Sequence, residues 1–282
     1  MPAVALVSRS ASATSDELAL VASAVNEQVV RHLAPAWKIE GTVAYIPSEK
    51  AAAGYPLKAY VVDDAGNRSG VHVHEQSGLV FAVIQYQPNL RWSVAASHEI
   101  VEMLVDPTLT RTFPGTTPTN PSSNVEFVAE ICDPVQAWPY QVSPLHQALV
   151  SDFCLPSYYR ITPPAPGFSF LGKVAYPGDV APGGYVSWIT AQLEVFQLQR
   201  FSGPRQLIGP VPYASIFGDT AHVTNLRGRL DRFAELSGNR QAIGVHYSKR
   251  KNWLRYKQPQ RPRKNTSYRK FQAYVDKLIN SG

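Results

Sequence analysis

The chain has few of the features that identify several common protein classes. Cys132 and Cys154 are its only cysteines among 282 residues, which argues against a disulfide framework and a cysteine-based zinc finger. Their spacing leaves open whether the two thiols pair. No apolar run approaches the roughly 18 residues that a membrane helix requires. Neither a glycine-rich phosphate loop nor a nucleophile elbow is present, so nucleotide hydrolysis and serine-hydrolase chemistry have no support.

Charged residues are also scarce, at 17% of the chain, and the net charge of +6 is unevenly distributed. Residues 249–282 hold eleven of the 27 Lys and Arg residues and one of the 21 acidic residues. The tail therefore carries a net charge of +10 and the rest of the chain −4. Aromatic residues interleave the basic ones, so this basic tail could bind nucleic acid or another acidic partner. The alternative is a solvated tail that ends in a short helix at 267–279.

What the chain does have is the composition of a folded protein, with 44% hydrophobic residues. Apolar patterns predict strands at 4–8, 38–46, 57–62, 71–74 and 79–86, and a helix that begins at Ser15. Residues 113–123 are rich in Pro, Thr and Ser, which predicts a loop that could cover a cleft. Without a secretory signal at the start, we expect a cytoplasmic protein.

The most informative segment is a predicted helix at residues 94–105, with Ser93 as its N-cap and Asp106 before a proline at its end. Apolar residues cover most of its circumference, which predicts that the helix is buried. Nevertheless it carries His98, Glu99 and Glu102 in its middle. Burying these groups unpaired would cost several kcal/mol each, so a cation or a strong hydrogen-bond network must compensate.

His98 and Glu102 are four positions apart, so they lie on one helical face and can ligate one ion. Where two histidines have this spacing in zinc hydrolases, the glutamate after the first one is the general base for water, which makes Glu99 the candidate base here. Glu102 replaces the second histidine, and carboxylate oxygens ligate zinc at about 2.0–2.2 Å.

A second acidic cluster, at residues 124–134, can supply a third ligand. We expect this ligand to be Glu130. Asp133 is the alternative, either as the third ligand or as a hydrogen-bond acceptor that orients His98. Asp106 is another candidate, although an aspartate before proline at a helix end is typical of turn chemistry.

Three other side chains are candidates for the same site. Tyr158 could stabilise an oxyanion near the metal, or it could belong to the core. His72 and His74 alternate along a predicted strand and therefore share a face. They could line the cleft, bind a second ion, or form a structural pair.

Three segments resemble a family of bacterial zincin-like metallopeptidases: residues 97–107 (Ser-His-Glu-Ile-Val-Glu-Met-Leu-Val-Asp-Pro), 129–135 (Ala-Glu-Ile-Cys-Asp-Pro-Val) and 150–159. The shared pattern is His-Glu-x-x-Glu followed by Glu-x-x-Asp, and it is also similar to that of the Exordium-type plant proteins. The resemblance covers roughly residues 1–200. It implies a zincin-like α+β fold with a mixed sheet, a backing helix and an active-site helix, and a metal on His98, Glu102 and Glu130.

We therefore expect a catalytic domain at 1–165, a β-rich extension packed on it at 166–248, and the basic tail at 249–282. The predicted function is a zinc-dependent hydrolase, specifically a metallopeptidase with one Zn²⁺ per chain. Its peptide substrate would pair with residues 79–86, if that strand forms an exposed sheet edge. Two alternatives are a structural or assembly protein that binds metal and docks through its tail, and a metal-free scaffold.

Overall fold

A computed structural model describes residues 2–66, 68–74, 78–160, 167–201 and 203–212 of the chain. The helices are α1 (Ser15–Gln28), α2 (Ala34–Trp37) and α3 (Ser93–Val105). The strands are β1 (Ala3–Ser8), β2 (Thr42–Tyr45), β3 (Leu57–Val62), β4 (Gly70–His74), β5 (Val80–Gln85), β6 (Thr112–Thr117), β7 (Asn120–Val128), β8 (Pro139–Tyr140), β9 (Val150–Ser151), β10 (Tyr185–Thr190), β11 (Glu194–Gln199) and β12 (Gln206–Pro212). The predicted α+β class is confirmed, and the predicted basic tail at 249–282 lies outside the described residues.

The first sheet is mixed, with the strand order β2-β1-β3-β5-β4. Strands β2, β1, β3 and β5 are parallel, and β4 runs antiparallel to β5. The prediction that residues 79–86 form an exposed edge is wrong, because β5 is hydrogen-bonded to β3 on one side and to β4 on the other. The edge strand beside β5 is β4.

Helices α1 and α3 pack on one face of this sheet and contact each other. Helix α1 begins where predicted, because Thr14 and Glu17 form a capping box: the Glu17 N–H donates to Thr14 Oγ1, and the Thr14 N–H donates to a Glu17 carboxylate oxygen. Its apolar side chains Leu18, Val21 and Val25 are buried in the same core as Leu6 of β1. The helix thus closes the sheet on the face where α3 lies.

The second sheet is antiparallel, with the order β12-β11-β10-β7-β6. The prediction of a loop at 113–123 is wrong, because most of this segment forms the hairpin of β6 and β7. The reason is long-range packing: Phe127 of β7 lies edge-to-face with Trp188 of β10. Gly115 of β6 leaves room for the Phe127 ring, since a Cβ there would lie 2.5 Å from its Cε2 atom.

Strands β10 to β12 extend the sheet that β6 and β7 begin, so pairing crosses the predicted boundary at 165. One apolar core runs from Val4 of β1 to Leu198 of β11 and includes α1 and α3. No helix among the described residues is long and apolar enough to cross a membrane.

Candidate metal centre

Helix α3 is the element that builds the candidate site. It begins at Ser93, one residue earlier than predicted, and the Ser93 hydroxyl donates to the Leu149 carbonyl at 2.7 Å rather than capping the helix. Every residue of α3 except Ala95 is buried, because the helix is enclosed by β4, β5, β9 and α1. The predicted burial of this helix is therefore confirmed, and the ionisable groups in its middle are removed from solvent.

The first group of candidate ligands consists of His98, Glu102 and Asp133. His98 Nε2 lies 3.3 Å from Glu102 Oε2 and 3.2 Å from Asp133 Oδ1. Ligand atoms around one tetrahedral zinc ion, with bonds of about 2.0–2.1 Å, lie about 3.3–3.4 Å apart. The distances from His98 Nε2 to the two carboxylates therefore match ligand spacing, and all three donor atoms lie within 4.8 Å of one another.

Asp133 reaches this group because of how the chain leaves the second sheet. Strand β7 ends at Val128, and Asp133 begins a short 3-10 turn at Asp133–Val135 with a proline in its second position. The Cys132 N–H donates to Glu102 Oε1 at 3.0 Å, which docks this segment on α3. Glu102 Oε1 is thereby held by the backbone, while Oε2 faces His98.

The electrostatics of the first group favour a bound cation. Burial acts to lower the pKa of His98, but the negative charges of Glu102 and Glu99, together with hydrogen bonding to the Asp133 and Glu102 carboxylates, outweigh it and raise this pKa well above its usual value. An imidazole that holds its proton so strongly is surrounded by an excess of negative charge. A metal ion would neutralise the same charge and would displace that proton.

A second group of candidate ligands consists of His72, Glu99 and Glu102, so Glu102 belongs to both groups. In the register of β4 and β5, His72 lies opposite Ala82, whose side chain faces the helices. His72 Nδ1 is 3.4 Å from Glu99 Oε2, and both side chains are buried. His74 projects to the same face of β4, but it is part of neither group in the described chain.

Gly70 gives Glu99 the space that it occupies. A Cβ atom at position 70 would lie 2.7 Å from Glu99 Cγ, so a larger residue on β4 would displace the glutamate. Neither Gly70 nor the Cys132 N–H was expected from sequence, since a glycine and a backbone amide carry no chemical signature in a linear motif. Each of them contacts a glutamate of α3 that is distant in the sequence: Gly70 contacts Glu99, and the Cys132 N–H donates to Glu102.

The other predicted site residues lie elsewhere. Glu130 is part of neither ligand group in the described chain, and its backbone carbonyl accepts from the Tyr159 hydroxyl at 3.1 Å. The geometry thus favours Asp133 over Glu130. Asp106 serves the turn after α3, where its carboxylate accepts from the Arg111 N–H at 2.8 Å. The Tyr158 hydroxyl donates to the Asp179 carbonyl at 2.8 Å, which does not support its oxyanion role.

Both cysteines are buried free thiols. Burial raises the pKa of Cys132 and of Cys154, and the negative charges of Glu102 and Asp133 add to this effect. Both side chains are therefore neutral thiols at physiological pH, and neither is a member of the two ligand groups.

Comparison of the chain with family models, with curated proteins and with solved structures finds no match. The geometry of the site is therefore the only indication of function in the described residues.

Proposed function

We propose that the chain is a zinc-dependent hydrolase, specifically a zincin-like metallopeptidase, in which His98, Glu102 and Asp133 hold the metal. The observation that carries this proposal is the spacing of the three donor atoms, 3.2 Å and 3.3 Å from His98 Nε2, in a buried setting. One imidazole and two carboxylates form a ligand set of the N and O type that zinc accepts, and three protein ligands would leave the fourth position of a tetrahedral ion for water.

In this proposal Glu99 is the general base. A zinc ion bound there would lower the pKa of a water ligand and polarise a carbonyl oxygen of the substrate. Glu99 follows His98 directly on α3, and its Oε2 atom lies 3.4 Å from His72 Nδ1. The Glu99 carboxylate would take a proton from the attacking water and return it to the leaving amine. Gly70 and His72 would keep this carboxylate in place from the side of β4.

The substrate is proposed to be a peptide in an extended conformation, bound beside β4. This strand is the last one in the order of the first sheet. An extended peptide can add to such an edge through backbone hydrogen bonds. The position is suitable because β4 contributes His72, whose side chain contacts Glu99 of the site.

Metal content tests the ligand set directly. We expect about one zinc ion per chain in protein purified without added metal or chelator. The zinc should be lost in His98→Ala and Asp133→Asn, because alanine offers no ligand atom and a neutral amide is a poor one. Glu130→Gln is the matched control and should keep its zinc. Mass spectrometry of the native protein and elemental analysis would measure all four proteins.

Two other results of the zinc measurement would change the proposal. Absence of zinc from the wild-type chain would contradict the proposal and favour a metal-free scaffold. Loss of zinc from Glu130→Gln, with retention in Asp133→Asn, would make Glu130 the third ligand.

A further inference from the structure

We infer that a second divalent cation binds beside the first one, on His72, Glu99 and Glu102, with Glu102 as a bridging ligand. The inference rests on the proposed function, because the second position shares Glu102 with the first. It also adds a form of regulation to that site, since it uses the proposed general base as a ligand.

The distance between His72 and Glu99 suits two ligands of one cation. His72 Nδ1 and Glu99 Oε2 form a buried hydrogen bond of 3.4 Å, which is longer than the 2.7–3.2 Å typical of N–H···O bonds. It is about the separation of two ligand atoms on one tetrahedral ion. The exposed fraction is 2% for His72, 2% for Glu99 and 0% for Glu102, so the three donors form an enclosed site.

Glu102 can serve both cation positions. Its Oε2 atom faces His98 Nε2 at 3.3 Å, while Oε1 accepts from the Cys132 N–H at 3.0 Å. A carboxylate oxygen has two lone pairs, so Oε1 can accept this bond and still ligate a cation. Carboxylate bridges of this kind suit two-metal sites, in which the ions lie about 3.5–4 Å apart.

The charge of the combined site also favours a second cation. Glu99, Glu102 and Asp133 contribute three negative charges, and all three belong to the two ligand groups. One divalent ion with neutral imidazoles leaves a net charge of −1, which attracts a second cation. A second divalent ion then makes the site positive. The second ion should therefore bind more weakly than the first, by about tenfold or more.

Imidazole and carboxylate ligands suit Zn²⁺ and Mn²⁺. When the second position is filled, the Glu99 carboxylate is a ligand and no longer accepts a proton from water. High zinc concentrations should therefore inhibit the hydrolase, while the first ion stays in place.

Calorimetric titration of the chelator-treated full chain with Zn²⁺ tests the inference. The wild-type chain should bind two ions, a tight one and a weaker one. His72→Gln should bind only the tight ion, because glutamine retains the size and polarity of the side chain but ligates zinc poorly. His74→Gln is the matched control on the same face of β4 and should bind both ions.

Mn²⁺ provides an independent readout, since two Mn²⁺ ions that share a carboxylate give a spin-coupled electron paramagnetic resonance spectrum. We expect coupling in the wild-type chain and in His74→Gln, and its loss in His72→Gln. If His72→Gln does not fold, as judged by circular dichroism, Glu99→Gln replaces it and should lose the same weaker ion.

The possible results separate this inference from the proposed function. One ion in both the wild-type chain and His72→Gln would refute the second position and leave the first intact. Two ions in both His72→Gln and Glu99→Gln would also refute it, because the second ion would then bind elsewhere. No zinc on the wild-type chain would refute the proposed function together with the inference.

Discussion

Replacement of Asp152 by asparagine should stabilise the protein at neutral pH. Asp152 directly follows β9, which packs on α3, and its side chain is buried. Burial raises the pKa of its carboxyl from 3.8 to about 6, although the N–H groups of Phe153 and Leu171 donate to its Oδ1 atom. Asparagine can accept both hydrogen bonds through its own Oδ1 atom and carries no charge.

The direction in which the free energy of unfolding changes with pH follows from proton binding to Asp152. The pKa of Asp152 is higher in the folded state than in the unfolded chain, so folding favours the protonated form. Its contribution to the free energy of unfolding is fully present below pH 3.8 and is lost as the pH rises through about 6. A shift of about two pKa units corresponds to about 3 kcal/mol, of which about half is lost by pH 5.

Urea unfolding between about pH 4 and pH 7.5 measures this effect. The wild-type chain and Asp152→Asn should be similarly stable at the acidic end, and the variant should be more stable by up to about 3 kcal/mol at the neutral end. Asp63→Asn is the control of opposite sign, because a hydrogen bond from Ser10 lowers the pKa of Asp63. A stability difference between wild type and Asp152→Asn that does not change with pH would refute the argument.

Two further predictions concern Glu99. Glu99→Gln should keep the tight zinc ion and lose about 10²- to 10⁴-fold in turnover of a peptide substrate, because the amide cannot act as a base; full activity in this variant would remove Glu99 from the mechanism. Gly70→Ala should also keep the tight zinc ion but lower turnover by up to about 10²-fold, since a Cβ atom 2.7 Å from Glu99 Cγ must displace the carboxylate. Zinc loss from Gly70→Ala would show instead that the substitution disturbs the whole site.

Local patterns in the sequence were sufficient to predict the positions of several strands and helices. The strand predicted at 57–62 is β3, and the helix predicted at 94–105 is α3 with one additional residue. The pairing of His98 with Glu102 also follows from sequence, because residues four apart share a helical face in any α-helix. These features depend on neighbouring residues, and a single periodicity identifies them.

Other features depend on contacts between distant parts of the chain, so local patterns were misleading. Residues 113–123 have the composition of a loop but form most of a hairpin, because β7 pairs with β10 about sixty positions further along. Residues 79–86 have the composition of any apolar strand, and only the positions of β3 and β4 decide that β5 is not an edge.

The third candidate ligand also depends on both local sequence and long-range contacts. The sequence determined that an acidic residue in 124–134 could join His98 and Glu102, and it left Glu130 and Asp133 as alternatives. In the tertiary structure it is Asp133 that lies beside His98, because the Cys132 N–H donates to Glu102 and the turn at Asp133–Val135 follows directly. The tertiary structure likewise brings His72 to Glu99 through the register of β4 on β5. A carboxylate or imidazole has the same chemistry in any sequence context, and only the packing of distant segments sets which of them meet.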